Sequence, residues 1–306
     1  MKNKKQLSII ILLSKQKRGI KMQKITFMNF KGGVGKTTSV CTMAELLGLA
    51  GYHVLIIDLD PQSNTSRMFG IKEDIEDLNY ENLFCEKMYS KKSMQEFIVK
   101  TDYANIHMLP SSEKMCDIIY KIYDGAKEKP KDKSDRTELM FAKNIKLVED
   151  DYDYIFIDTS PFKTYLSYCA ILASDKVVTP ISLDNFSYEG VLKLADLIVD
   201  LNTNFKRNTE FMGVFFTKIK SKTSNLFTGM SGSYQEQLDD LFIPIAIRDL
   251  IAVAEANTAF QPLFTYNRKC PALNDYIELL NYMDMIDNKH YKALKNLLVA
   301  KKGGDK

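Results

Sequence analysis

Apolar and amphipathic segments alternate along most of this 306-residue chain. Continuous apolar runs, bounded by polar or turn-forming residues, predict buried strands. We place these strands at residues 24–29, 53–58, 106–109, 154–158, 176–180 and 211–217. Segments with helical spacing predict helices at 36–50, 188–201 and 233–241. Because strands that are apolar throughout need cover on both faces, the pattern predicts an α/β fold, with helices on both faces of a mostly parallel central sheet.

The first 21 residues differ in pattern from the rest of the chain. Lysines flank a short apolar stretch at 7–13, and no small-residue cleavage site follows it, which disfavours a secretory signal. Because Met22 begins a clean strand, we divide the chain into a basic extension, 1–21, and one domain, 22–306. The extension has two interpretations, a start site placed too far upstream or a mobile basic arm that binds DNA. A Lys- and Asp-rich stretch at 127–136 predicts a solvated loop.

Composition excludes several classes of protein. The chain is 45% hydrophobic with ordinary glycine and proline contents, which excludes a disordered or low-complexity protein. Its longest clean apolar run, at 9–13, falls far short of the roughly 20 residues that a membrane-spanning helix needs. The five cysteines are odd in number and none are spaced as CxxC, which disfavours a disulfide framework and a metal cluster. The three histidines are scattered along the chain.

The net charge of +3 conceals a strong asymmetry. Residues 1–24 hold eight basic residues and no acid, and residues 289–306 hold six lysines and one aspartate. The body between them has 28 basic against 38 acidic residues and is therefore net negative. Any contact with a polyanion must then come from local patches or from the ends of the chain.

Residues 31–38 read KGGVGKTT and stand between the first predicted strand and the first predicted helix. A phosphate-binding P-loop requires that context, although Phe30 occupies the position of the usual first glycine. Glycines let backbone N–H groups turn toward phosphate oxygens, and the helix N-terminus adds its positive end. We expect Lys36 to reach the β- and γ-phosphates of a nucleotide and the Thr37 hydroxyl to ligate Mg²⁺. The predicted nucleotide contacts in this segment are Lys31, Gly32, Gly33, Val34, Gly35, Lys36, Thr37 and Thr38.

Two later segments place carboxylates at the ends of predicted strands. Asp58 and Asp60 belong to the sequence DLDPQSN at 58–64, which directly follows an apolar run. Asp-Pro is also a common turn initiator, so the neighbouring P-loop is what favours a functional interpretation. Asp158 ends the apolar run YIFID, which has the form of a Walker B strand whose aspartate bonds a water on Mg²⁺.

Together these segments resemble the ParA/MinD family of dimerising ATPases, whose P-loop carries a second, early lysine. The resemblance covers most of the chain from Met22 onward. It implies that Lys31 crosses a dimer interface to the partner's nucleotide and, together with Lys36, acts in catalysis. An added cation near the γ-phosphate can stabilise the charge that moves in the transition state, as an arginine finger does.

The resemblance also implies roles for the carboxylates. Asp58 would be an outer-sphere partner of Mg²⁺, in a metal site shared with Thr37 and Asp158, and Asp60 would orient the attacking water. The segment at 58–64 departs from the family pattern at Ser63, where glycine is commoner.

Two tracts in the second half of the chain resemble partitioning proteins of this family. The first, TP…YEG, lies at 179–190, and the second, IP…EA…QP, lies at 243–262. By this resemblance, Pro244 and Arg248 contact the base side of the nucleotide. The chain has Ile-Ala after Pro244, where the family often carries Arg-Asn.

The stretch between residues 211 and 234 contains no acidic residue and carries Lys218, Lys220 and Lys222 close together. In relatives that partition DNA, basic residues of this part bind DNA without sequence preference, which cations alone can achieve. An ordinary solvated loop is the alternative interpretation of these lysines. No helix-turn-helix or zinc-finger pattern accompanies them.

The competing class is a MinD-like membrane-cycling ATPase, whose hallmark is a basic amphipathic helix at the C-terminus. Tyr291, Leu294, Leu297 and Leu298 have helical spacing among lysines and could lie on an anionic membrane. Such a stripe is more often a terminal helix packed on the sheet. A related tyrosine kinase is expected to carry a cluster of tyrosines at its end, whereas the 16 tyrosines of this chain are dispersed. A relative of the nitrogenase iron protein is expected to carry two cluster-binding cysteines near the dimer interface, and nothing in the sequence favours this class.

The resemblance favours DNA over membrane and implies a cytoplasmic, nucleoid-associated ATPase that partitions a plasmid, mobile element or chromosome. ATP and Mg²⁺ would drive a homodimer that binds nonspecific DNA. Hydrolysis, stimulated by a ParB-like centromere-binding partner, would release it.

Overall fold

A computed structural model describes residues 22–71, 80–85, 90–118, 137–183, 187–222 and 224–299. The predicted extension, 1–21, and the predicted loop, 127–136, lie outside these residues. The strands are β1 (Gln23–Phe27), β2 (Val54–Leu59), β3 (Val99–Lys100), β4 (Ile106–Leu109), β5 (Tyr154–Thr159), β6 (Lys176–Ile181), β7 (Glu210–Ile219) and β8 (Phe242–Arg248). They form one sheet in the order β3-β4-β2-β5-β1-β6-β7-β8. Neighbours in this sheet are parallel except for the short antiparallel pair β3–β4.

Helices connect the strands and cover the sheet. The longer ones are α1 (Lys36–Leu49), α5 (Thr137–Ile145), α6 (Tyr165–Ala173), α7 (Ser187–Phe205), α8 (Asn225–Leu238), α9 (Ile251–Thr258), α11 (Pro271–Tyr282) and α12 (Asn288–Val299). The shorter ones are α2 (Asn64–Met68), α3 (Tyr80–Cys85), α4 (Lys91–Gln95) and α10 (Leu263–Asn267). The predicted α/β architecture is confirmed. The helix predicted at 233–241 begins earlier, at Asn225, because the Ser224 hydroxyl caps it by accepting from the Phe227 N–H at 3.2 Å.

The buried side chains form apolar layers on both faces of the sheet. Along β2, Val54 and Ile56 join one layer while Leu55 and Ile57 join the other. All six residues of this strand are buried. A strand covered on both faces cannot alternate with polar residues, which explains the continuous apolar runs of the sequence.

The carboxyl ends of three central strands meet at one edge of the sheet. In the pairing of β2 with β5, Asp58 lies directly beside Asp158. In the pairing of β1 with β5, Phe27 lies beside Asp158, and the loop to α1 follows β1. This edge therefore gathers the P-loop and the two strand-end carboxylates that the sequence predicts.

The helix α12 packs on the body of the protein. Leu294 is buried in the same apolar layer as Tyr276 and Ile277 of α11. The Tyr291 hydroxyl donates to Glu278 of α11 at 2.8 Å, and Lys295 is hydrogen-bonded to the same carboxylate. The amphipathic stripe at the end of the chain is thus the seam of a packed helix. No helix within the described ranges is long and apolar enough to cross a membrane.

A buried carboxylate joins α1 to α10. Glu45 of α1 is 3% exposed and accepts the backbone N–H groups of Phe264 and Thr265, each at 2.8 Å, and the Thr265 hydroxyl at 2.6 Å. Burial raises the pKa of Glu45 to about 7, and these hydrogen bonds oppose the rise.

This raised pKa predicts a pH-dependent stability. The carboxyl titrates near pH 4.3 in an unfolded chain, so the folded protein binds more protons between about pH 4.3 and 7. Its contribution to the free energy of unfolding is therefore present at low pH and is lost as the pH rises to about 7, by on the order of 3 kcal/mol. Urea unfolding at several pH values should show this decline for the natural chain relative to Glu45→Gln. Parallel pH profiles for the two proteins would contradict it.

Candidate functional site

The loop between β1 and α1 has the backbone conformation of a phosphate cradle. Gly33 and Gly35 have φ values of 74° and 83°, a left-handed region that only glycine adopts without strain. Gly35 is the N-cap of α1 and offers no side-chain cap to the first N–H groups of the helix. These N–H groups therefore remain for an anion at the helix N-terminus.

Neighbouring residues hold this loop in place from both sides. The Asn29 side chain donates to the Pro180 carbonyl at 2.9 Å and accepts the Lys31 N–H at 2.9 Å. On the other side, the Thr217 hydroxyl of β7 donates to the Val34 carbonyl at 2.8 Å. Asn29 directly precedes the motif and could have been noticed in the sequence, whereas the partnership of Thr217 with a loop 183 residues away has no sequence signal.

Lys36 lies at the centre of the site and is only 7% exposed. Its ammonium group donates to the Asn29 carbonyl at 3.0 Å and to the Lys31 carbonyl at 3.3 Å, so the side chain folds back over the loop. Burial lowers the pKa of Lys36, while the charges of Asp158 and Asp60 act in the opposite direction. A buried cation beside a ring of backbone N–H groups is suited to bind phosphate oxygens.

The two strand-end carboxylates are fully buried next to each other. Both oxygens of Asp58 are engaged, since Oδ2 accepts the N–H and hydroxyl of Ser66 at 2.8 Å and Oδ1 accepts the Asp60 N–H at 3.1 Å. Burial, with the adjacent Asp158 as the second cause, raises the pKa of Asp58 to about 8. Burial also raises the pKa of Asp158. Two buried like charges favour the uptake of a cation.

The carboxylate of Asp158 has the surroundings expected for a magnesium site. Its Oδ2 accepts the hydroxyls of Thr37 and Thr65 at 2.7 and 2.6 Å. Its Oδ1 is buried and, within the described part of the chain, has no hydrogen-bond partner. An orphaned buried carboxylate oxygen beside the Thr37 hydroxyl fits a hydrated Mg²⁺ ion. The described residues contain no group of three or more His, Cys, Asp or Glu side chains that could hold a metal by themselves, so water or phosphate oxygens would complete the shell.

Asp60 lies just beyond the end of β2 and is partly exposed at the same edge. Its Oδ1 accepts the Gln62 N–H at 3.0 Å, which fixes the carboxylate in a tight turn. Ser63 closes that turn with a left-handed φ of 54° and donates its N–H to the Asp60 carbonyl at 2.8 Å. Glycine adopts this conformation without the strain that a side chain brings, which fits the departure at Ser63 noted in the sequence. The predicted role of Asp60 stays a prediction.

The remaining P-loop residues lie at the entrance of the site. The side chain of Lys31 is exposed, as its predicted reach to a partner subunit requires. Thr38 exchanges hydrogen bonds with Asn257 of α9 at 3.1 and 3.3 Å and borders a cavity of about 190 Å³. Asn64 and Phe260 line the same cavity, and neither was predicted from the sequence as a site residue.

The two predicted base-side residues occupy different places on β8. Arg248 ends the strand at the same edge as the P-loop, and Pro244 lies exposed four residues earlier. The Arg248 guanidinium donates to both oxygens of Asp275, from Nε at 2.8 Å and from Nη2 at 3.0 Å, and also to the Pro271 carbonyl. Asp275 therefore fixes the position of Arg248, and contact of either residue with a nucleotide stays a prediction.

The three lysines of the basic stretch follow the residue that holds the P-loop. Lys218 and Lys220 are exposed just after Thr217. Lys222 differs because its ammonium group pairs at 3.0 Å with Asp275, whose side chain is 4% exposed. The sequence predicted one role for all three lysines, whereas Lys222 also neutralises a buried carboxylate.

Comparison with known proteins shows the family to which this chain belongs. A family model described as an AAA domain matches residues 22–211, and the chain belongs to this family, AAA_31. The chain is 24% identical to chromosome partitioning protein ParA of Myxococcus xanthus over 258 residues, covering 83% of this chain and 85% of that protein. It is 26% identical to sporulation initiation inhibitor protein Soj of Bacillus subtilis over 256 residues, covering 83% and 95%. The predicted resemblance to ParA-type ATPases is confirmed.

Solved structures agree on the fold. The structure of Cyanothece McdA in complex with ATP has a TM-score of 0.68 and 19% identity, covering 93% of this chain and 99% of that one. At this identity the likeness establishes the fold alone, an α/β sheet with helices on both faces.

The site geometry predicts that Lys36→Ala loses nucleotide affinity. The substitution removes a buried cation from the phosphate cradle, and a charge-assisted hydrogen bond contributes about 1.5–3 kcal/mol, so we expect at least about tenfold weaker binding. Titration with a fluorescent ATP analogue would measure it, with far-ultraviolet circular dichroism to verify folding. The exposed Lys92→Ala serves as the control. Undiminished binding by folded Lys36→Ala would contradict the phosphate-site assignment.

Proposed function

We propose that this protein is a Mg²⁺-dependent ATPase that partitions DNA, acting as an ATP-bound homodimer. The observation that carries the proposal is the meeting of a P-loop, an exposed second lysine and two buried carboxylates at one edge of the sheet. The similarity to proteins named for chromosome partitioning supports the same function. In the cell the protein would associate with the nucleoid.

The chain's own residues account for most of the chemistry of ATP hydrolysis. The N–H groups at the start of α1 and the ammonium group of Lys36 bind and orient the phosphates. Thr37 and the buried carboxylates would hold the metal, which would neutralise developing charge on the phosphate oxygens. Asp60, fixed at the end of β2, orients the attacking water. The chemistry then depends on positioning and electrostatics rather than on covalent catalysis.

Lys31 would act on the partner's nucleotide in the dimer. Its side chain is exposed at the start of the loop, whereas the neighbouring Lys36 is buried inside it. Two lysines five residues apart thus have opposite environments, which supports different roles for them. The exposed cation would stabilise both the dimer and the transition state across the interface.

DNA binding would use Lys218 and Lys220 of each subunit. Both lysines are exposed at the end of β7, within a stretch free of acidic residues, and β7 holds the P-loop through Thr217. Nucleotide-driven dimerisation doubles the number of cations facing one duplex, so DNA affinity should need ATP. A ParB-like centromere-binding protein is the proposed partner that stimulates hydrolysis and release. The packing of α12 on α11 favours this function over membrane cycling, which would require that helix to be available to lipid.

Substitutions of Asp60 and Lys31 should separate binding, dimerisation and hydrolysis. Asp60→Ala should bind ATP and dimerise but hydrolyse ATP about 100-fold more slowly, because only water orientation is lost. Lys31→Ala should weaken ATP-dependent dimerisation more than nucleotide binding by the monomer. Analytical ultracentrifugation and phosphate release would measure these effects. Failure of Asp60→Ala to bind nucleotide would make Asp60 structural, and equal losses in Lys31→Ala would count against a role across the interface.

DNA binding should depend on Lys218 and Lys220, the two exposed lysines that follow Thr217. Lys218→Glu combined with Lys220→Glu should abolish ATP-dependent co-sedimentation with duplex DNA while nucleotide binding persists. Binding by the natural chain should weaken with salt, each neutralised phosphate contributing roughly −0.9 to the log–log slope. We leave Lys222 unchanged because a glutamate there would face the buried Asp275.

The matched control reverses the same charges at the far edge of the sheet. Lys92→Glu combined with Lys100→Glu changes two exposed lysines near β3, at the opposite end of the strand order from β7. We expect this variant to bind DNA as the natural chain does. Equal loss in both double variants, or binding to anionic vesicles in place of DNA at low salt, would contradict the partitioning function.

A further inference from the structure

A cavity of about 820 Å³ opens at the edge of the sheet opposite the P-loop. It lies where β1, β6 and β7 begin, and it is lined by residues 22–24, 174–176 and 206–209 together with side chains of α5 and α6. Since β1 has five residues, roughly 17 Å of strand separates this cavity from the phosphate cradle. Its volume falls within the range of roughly 300–1,000 Å³ that is typical of small-molecule sites.

The cavity is lined by more basic than acidic side chains. The two carboxylates, Glu149 and Asp175, are both engaged by Lys24, at 2.6 and 3.7 Å. Four other cations also line the cavity and form no ion pair within the described residues: Lys146, Lys176, Lys206 and Arg207. The cavity therefore has an excess of positive charge that nothing in the described chain neutralises.

Two polar atoms at the cavity lack partners. The Nε of Arg207 and the Oε1 of Gln23 are buried and form no hydrogen bond within the described part of the chain. Because both atoms have almost no accessible surface, a ligand in the cavity contacts the exposed ends of the cationic side chains and not these two atoms. The other wall is apolar, with Leu139, Leu172 and Phe205 among its residues.

The loop that carries Arg207 is held rigidly. The Asn202 side chain donates to the Thr209 carbonyl at 2.8 Å and accepts the Thr209 N–H at 3.0 Å, and the Arg207 N–H donates to the Asn202 carbonyl at 3.0 Å. Lys206 has a left-handed φ of 52° within this closed loop. The cations of the loop are thus presented on a preformed wall, which lowers the entropic cost of binding.

We propose that this cavity is a second ligand site, for a small molecule with an apolar body that carries a phosphate or a similar oxyanion group. The four cations bind the oxyanion, and the wall of Leu139, Leu172 and Phe205 covers the body. A concave site of this volume suits a small molecule better than a DNA duplex. The basic residues 1–21, which carry seven Lys or Arg and no acid, are a poor occupant because their charge has the same sign as that of the cavity.

The test uses 1-anilinonaphthalene-8-sulfonate, an aromatic oxyanion that fluoresces on binding, with the full-length protein. We expect saturable binding of one molecule per chain, unaffected by saturating ADP and Mg²⁺ and displaced by AMP more effectively than by adenosine or inorganic phosphate. Loss of the signal on adding ADP and Mg²⁺ would place the probe in the nucleotide site and overturn the proposal. Because the readout requires neither ATP hydrolysis nor DNA, its failure is distinguishable from failure of the proposed function.

Variants test the residues of the cavity. Arg207→Gln should bind the probe about tenfold more weakly, Arg207→Lys should retain part of the affinity, and the distant Lys92→Gln should bind normally. Lys146→Gln, on a separate segment, gives an independent test should Arg207→Gln fail to fold in a thermal melt. No saturable binding by the natural chain, or affinities unchanged in Arg207→Gln and Lys146→Gln, would overturn the proposal.

Discussion

Parallel pairing of β2 with β5 places two carboxylates, Asp58 and Asp158, side by side in the fully buried centre of the sheet. Burying one carboxylate is costly, and burying two in contact is costlier because each opposes the ionisation of the other. Burial, and then the neighbouring Asp158, raise the pKa of Asp58 to about 8. The rest of the site surrounds this pair with donors and with one buried cation.

The surrounding groups compensate only part of the negative charge. Ser66, Thr65 and Thr37 donate hydroxyl hydrogen bonds to the pair, and Lys36 contributes its charge from the loop above. One oxygen of Asp158 is left without a partner among the described residues. A hydrated divalent cation with a polyphosphate would supply what this arrangement lacks. The same interaction would then link the stability of the central sheet to nucleotide binding.

Much of this could be predicted from the sequence because the features concerned are local. An apolar strand followed by glycines and a lysine gives the P-loop, and an apolar strand that ends in aspartate gives the metal partner. The parallel sheet follows from runs such as 54–57, which are buried on both faces. The early start of α8 was missed because a single serine cap, Ser224, is a weak signal beside a polar helix surface.

Contacts between distant parts of the chain could not be predicted. Nothing in the sequence near Thr217 indicates that it holds the P-loop, and nothing near Asp275 indicates that it fixes both Arg248 and Lys222. The cavity at the opposite edge likewise arises from separate segments between residues 22 and 209 that only the topology brings together. Such sites depend on register and packing, which composition and periodicity do not encode.

The proposed function requires the buried carboxylate pair and the P-loop to form one site for a nucleotide together with Mg²⁺. Calorimetric titration of the natural chain with ATP, with Mg²⁺ and then with EDTA in its place, measures whether they do. We expect one ATP bound per chain, with affinity at least about tenfold higher when Mg²⁺ is present, because the metal relieves the repulsion between Asp58 and Asp158. Equal affinity in EDTA, or no binding of ATP, would contradict it.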